Sequence, residues 1–99
     1  MELKEIINLL DDKELAAIES IRYDDCNTIH FVFTIDGKNP NELQTVELGY
    51  TKPDDFTLTM YSYWEGEHSD FVDQEAFFFI TNVIQKLCSK DPEVTSTNI

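Results

Sequence analysis

Thr28–Ile35, read TIHFVFTI, decides how the rest of the chain is understood. Ile29, Phe31, Phe33 and Ile35 alternate with Thr28, His30, Val32 and Thr34. That period of two gives a strand one apolar face for a core and a second face turned away from it. β-branched and aromatic residues fill the run, which suits a pleated, half-buried surface. Asp36-Gly37 closes it with a turn signal. Such a strand needs neighbours to pair with it and helices to cover it.

Toward the N-terminus, Glu19–Asp24 reads as a strand with Ile21 and Tyr23 on one face, and Asp24-Asp25-Cys26-Asn27 as its hairpin connection. Residues 13–20 read as helix or strand. A short helical turn fits best, because Asp11 and Glu14 have the spacing of a capping box ahead of Leu15 and Ile18. Glu2–Leu10 is expected to be a helix with an apolar stripe of Leu3, Ile6, Ile7 and Leu10.

Toward the C-terminus, Asp36–Asn41 is loop by composition. Leu43–Thr51 reads as a third strand, with Val46, Leu48 and Tyr50 opposite Thr45 and Glu47. Lys52-Pro53-Asp54-Asp55 makes a turn into a fourth strand, Phe56–Trp64. There Phe56, Leu58 and Met60 oppose Thr57, Thr59, Tyr61 and Tyr63. Glu65–Ser69 is expected to be an acidic loop, and Ser69 or Asp70 to cap a long helix running to about Cys88. Its stripe is Val72, Ala76, Phe79, Ile80, Val83 and Leu87, with Phe77, Ile84 and Cys88 alongside and Phe71 and Phe78 off it.

Short connections make the sheet an antiparallel meander. The expected fold is therefore α+β, in the order α-β-β-β-β-α. A sheet of three or four strands carries an N-terminal helix and a long C-terminal helix on one face. Residues 1–92 should form a single compact domain and 93–99 a flexible polar tail, since Pro92 stops the helix. Phe31, Phe33, Val46, Leu48, Phe56, Leu58, Phe79, Ile80 and Val83 are expected to be buried together.

A chain of 99 residues fits one domain. Two cysteines, Cys26 and Cys88, are too few for a disulfide scaffold and point to a reducing compartment. No apolar stretch approaches the ~20 residues of a membrane span. Met1-Glu2-Leu3-Lys4-Glu5 lacks the basic and apolar regions of a secretion signal, so a soluble cytoplasmic protein is expected.

The charge stands out. Twenty acidic residues against seven basic ones give a formal net charge of −13. Such a surface repels phosphate backbones and anionic membranes, which disfavours nucleic acid and membrane as partners. It attracts a basic protein and speeds the encounter. Solubility alone is the plainer account of the charge, but the acids are unevenly placed.

Sequence places neither His30 nor His68 near a reactive hydroxyl or thiol. The three glycines, Gly37, Gly49 and Gly66, stand singly and form no phosphate loop. Glu65, Glu67, His68, Asp70 and Asp73 offer metal donors without a recognised ligand spacing, and acids near a helix start are explained by its dipole. Asp24, Asp25, Cys26 and His30 lack the pairs of a closed zinc site. No catalysis, cofactor or metal is expected.

Pro53–Gln85 holds seven acids (Asp54, Asp55, Glu65, Glu67, Asp70, Asp73, Glu75) and no Lys or Arg. Tyr61, Tyr63 and Trp64 lie in the same stretch, and such side chains anchor interfaces while surrounding charge steers the approach. The candidate partner-binding residues are Asp54, Asp55, Tyr61, Tyr63, Trp64, Glu65, Glu67 and Asp70. In size and charge the chain resembles bacterial immunity proteins that neutralise toxin nucleases, and phage-encoded inhibitors of restriction or CRISPR enzymes. The resemblance rests on no shared motif. It implies a small inhibitor of a basic toxin or nuclease, as monomer or homodimer. The alternative is an acidic dimeric chaperone or adaptor for a secreted effector, with Phe71 and Phe78 marking a dimer or client groove.

Overall fold

Among the described residues, five antiparallel strands lie side by side in chain order in one open sheet, with three helices on one face. A computed structural model describes residues 2–90, so the tail expected at 93–99 lies outside the described residues. Two short helices come first, α1 (Leu3–Leu9) and α2 (Asp12–Ala17). The strands are β1 (Ile18–Tyr23), β2 (Ile29–Asp36), β3 (Leu43–Lys52), β4 (Asp55–Trp64) and β5 (Glu67–Ser69), and α3 (Gln74–Lys90) closes the order. The class is α+β as expected, with one strand and one short helix more than the expected order.

The alternation of Thr28–Ile35 survives in β2: Ile29, Phe31 and Phe33 are buried while His30, Val32 and Thr34 are half-buried on the other face. Opposite them on β3, Val46, Leu48 and Tyr50 are also buried. Phe31 and Phe33 stack at 5.4 Å between ring centroids, and Phe79 of α3 meets Phe33 edge-on at 5.2 Å. Ala76, Ile80, Val83 and Leu87 of α3 complete the core, joined by Ile6 and Leu10 from the N-terminus. Phe79 is half-buried.

The ambiguous residues 13–20 divide at Ile18. The capping box forms, with Glu14 N–H donating to Asp11 and Asp11 N–H to Glu14. The helix then gives way to β1, whose register shifts between Ile18 and Ser20. That bulge lets Ile18 and Ile21, three apart in sequence, both face the core, opposite Phe33 and Phe31. The expected stripe of α1 is corrected: Ile6 and Leu10 are buried, but Leu3 and Ile7 are exposed, because a helix this short touches the rest along one edge.

A larger correction concerns β4. Its register puts Phe56, Leu58 and Met60 opposite Tyr50, Leu48 and Val46, on the helix-bearing face as expected. Yet Phe56 and Leu58 remain 40% and 38% exposed. Width accounts for this. A helix is ~10 Å across and strands lie ~4.8 Å apart, so each helix covers about two strands. α3 packs on β3 and α2 on β2, so on β4 Met60 still packs against the core while Phe56 and Leu58 are left less covered. Phe77, read as flanking the α3 stripe, is also exposed.

Glu65–Ser69 is not a loop. Glu65 and Gly66 both have positive φ, 53° and 81°, and form a two-residue turn between paired Trp64 and Glu67. Two consecutive positive φ values match the right-handed twist of a hairpin and are easiest with glycine in the pair. β5 follows, so α3 begins at Gln74 rather than at a Ser69 or Asp70 cap. The four residues between form a strap held by two buried polar side chains on the core face. Ser62 Oγ donates to the Phe71 carbonyl at 2.7 Å. Gln44 Oε1 accepts from Asp73 N–H at 2.6 Å, and its Nε2 donates to the Asp73 carboxylate at 3.2 Å. A clamp on the far side joins Lys86 of α3 to the buried Glu14 carboxylate of α2 and to Asp11, which caps that helix.

Candidate functional site

Seven of the eight residues singled out from sequence fall into two groups at opposite ends of β4, and the eighth, Tyr61, lies within the strand. Tyr63, Trp64, Glu65, Glu67 and Asp70 gather at the β4–β5 hairpin, and all five are exposed. Asp54 and Asp55 lie in and just after the β3–β4 turn at the other end. A ten-residue strand separates the groups by about 30 Å. Asp54 also has Lys52 Nζ at 3.8 Å, which offsets part of its charge.

Period two divides the aromatics. Tyr61 and Tyr63 stand on the face without helices, where the register brings His68 of β5 against them. The His68 ring lies 5.0 Å from Tyr61 and 6.0 Å from Tyr63, edge-on to the latter. Tyr61 is half-buried beside Thr45. Burial first, and then the Glu47 carboxylate, raise its phenol above the ordinary value of 10.0. Tyr63 is 49% exposed. Trp64 points to the opposite face and is 41% exposed, because α3 starts too late to cover it.

Sequence reading placed Phe71 off the helix stripe but not at this site. The structure puts it beside Trp64, across an open concavity of about 260 Å³ bordered by Ser69 and Val72. Its side chain is 87% exposed although its backbone is fixed at both ends. Phe71 N–H donates to Ser69 Oγ at 3.2 Å, and its carbonyl accepts from Ser62. Tyr63, Trp64 and Phe71 thus surround an acidic tip in which Glu65, Glu67 and Asp70 have no side-chain hydrogen bond or ion pair among the described residues. The signal in the sequence was Gly66, which marks a tight hairpin and makes the strap to α3 short.

The other candidate clusters are occupied by structural bonds. Asp73 turns from the tip to Gln44 and the Lys38 N–H. Asp24 accepts from His30 Nε2 at 2.7 Å and from the N–H groups of Cys26 and Thr28, closing the β1–β2 hairpin. Those bonds, with His30 the largest contributor, hold the Asp24 carboxyl below its ordinary 3.8. The His30 ring lies over Gly49, where a Cβ would stand 3.6 Å from the ring and 2.8 Å from Thr57 Oγ1. Among the described residues no helix is long and apolar enough to cross a membrane, and no three His, Cys, Asp or Glu side chains converge as a metal site.

What this arrangement can do chemically is bind: exposed aromatic surface supplies contact area and the unpaired carboxylates supply a field. No family model matches the chain, and no curated protein or solved structure matches it.

Proposed function

We propose that the chain is a small acidic inhibitor that binds and neutralises a basic protein, in the manner of an immunity protein against a toxin nuclease or a phage anti-defence inhibitor. The observation that supports this most is the hairpin tip. Three exposed aromatic side chains stand on fixed backbone around three unpaired carboxylates, in a stretch without Lys or Arg. Carboxylates there take the place of phosphates at a basic cleft or close its mouth. On this reading the protein acts in the cytoplasm, as a monomer or homodimer, without cofactor, metal, nucleic acid or membrane.

The test is capture from the source cell at low ionic strength, with Glu65→Lys/Glu67→Lys/Asp70→Lys as the control. A basic protein retained by the native chain and lost by the variant is the expected result. Retention of acidic proteins, or retention indifferent to the variant, overturns the reading.

A second reading, the acidic dimeric chaperone or adaptor, is favoured by Phe77 and Phe78, both exposed on α3. Sedimentation of the purified chain tests this second reading: a chaperone of this kind is a dimer alone, so a monomer overturns it.

A further inference from the structure

The N-terminal half of β4 is an open sheet edge. β5 pairs with Ser62, Tyr63 and Trp64 only, so Asp55–Tyr61 has β3 on one side and no strand on the other among the described residues. Natural edges are protected by charge, proline, bulges or shortness. Phe56–Met60, FTLTM, is uncharged and lacks proline, and its pairing to β3 is regular from Phe56 to Met60, the one register shift of this pair falling just before it between Tyr50 and Lys52. The opposite edge differs, since β1 has a bulge and bears Glu19 and Arg22. Alternation gives the β4 edge two distinct rims. Phe56 and Leu58 stand exposed on the helix-bearing face, and Thr57 and Thr59 stand exposed on the other. Acids close both ends of the open segment, Asp54 and Asp55 at one and, at the other, Asp70 next to Ser69, the β5 residue paired with Ser62.

We propose that this edge takes up an extended segment of the basic partner as an added strand, apolar on the side chains that lie beside Phe56 and Leu58 and basic at both ends. The inference rests on the reading of the partner as a basic protein. Backbone groups of Asp55–Tyr61 supply the hydrogen bonds, and alternate side chains supply the selectivity. Charge selects this occupant over a second copy, which would bring a further net charge of −13 to the same edge.

Amide hydrogen exchange on the whole chain tests it, with a synthetic peptide of alternating valine and threonine flanked by paired lysines. Edge-facing amides within Asp55–Tyr61 should slow roughly tenfold or more when the peptide is present. N-methylating alternate peptide amides should remove that protection. Leu58→Glu, at an exposed position, should weaken the peptide about tenfold even though it adds negative charge. Peptide binding that leaves the edge amides unprotected and depends on Glu65 and Glu67 alone overturns the added strand but leaves the inhibitor reading standing. Absence of peptide binding overturns the added strand, while capture of a basic protein still decides the function independently. Protection that rises with protein concentration in the absence of peptide assigns the edge to a second copy. Protection without peptide that disappears on deleting residues 91–99 assigns it to the chain's own C-terminus. Either result overturns the proposal.

Discussion

β2 and β4 carry the same kind of pattern and meet different fates. Each alternates aromatic or aliphatic residues with polar ones, and each turns its apolar set to the helix-bearing face. Phe33 meets Phe79 of α3, and Phe31 and Phe33 lie buried between β1 and β3, whereas Phe56 and Leu58 border solvent. The difference lies in the cover, not in the strands. Periodicity therefore identifies which face a residue shares, while burial depends on how many helices the chain has to lay across the sheet.

Truncation would test that comparison most severely. Phe33→Ala should cost about 3–5 kcal/mol in urea unfolding, because the ring is fully buried between Phe31 and Phe79. Phe56→Ala should cost less than about 1 kcal/mol. Equal losses would mean that β4 is covered in solution. The strap gives the next largest effect. Gln44→Ala deletes a fully buried amide that makes three bonds to backbone and side-chain groups, for a loss on the order of 2–3 kcal/mol. A loss under roughly 1 kcal/mol would show that α3 is positioned by its apolar stripe alone.

The two ends of β4 can be compared in the same way. Glu65→Lys/Glu67→Lys should slow association with a basic partner roughly tenfold at low salt, and Asp54→Lys/Asp55→Lys only about twofold, because Lys52 already offsets Asp54. Reversal of that order by stopped flow would move the principal contact to the β3–β4 turn.

The smallest effect is a titration. The Tyr61 phenol should ionise above 10.0, and Glu47→Gln should lower its midpoint, as followed by ultraviolet absorbance. A folded value raised above the unfolded one means that this group's contribution to stability is present below pH 10 and is lost as pH rises through the folded value. An unshifted midpoint in the variant would leave burial as the whole cause.

The sheet was legible because strand pairing follows local alternation and short turns. Asp11 and Glu14 also announced their helix correctly through a purely local bond pair. What the sequence hid was non-local. Ser62 and Gln44 look like ordinary polar positions on an apolar strand face. Their role appears only when the residues leading into α3 fold back over them. β5 was hidden because three residues are too few to show a period, leaving Gly66 as its single sign. The candidate partner-binding residues are close in sequence but, Tyr61 aside, lie at opposite ends of β4. An extended strand is the conformation in which closeness in sequence says least about closeness in space.

The bond from Ser62 to the Phe71 carbonyl bears on when conformational entropy is lost. Ordering one residue's backbone costs about 1–2 kcal/mol. A flexible loop would meet that cost on encountering a partner, and its affinity would be weakened by about tenfold or more for each residue fixed. Here the cost has already been met in folding, because the strap is tied before any partner arrives. On the proposed reading, the Phe71 backbone is placed in advance, and binding has the ring of Phe71 but not its main chain left to order. Ser62→Ala should therefore leave the contact surface unchanged while making the binding entropy less favourable, a change calorimetry would detect without any change in the residues that touch.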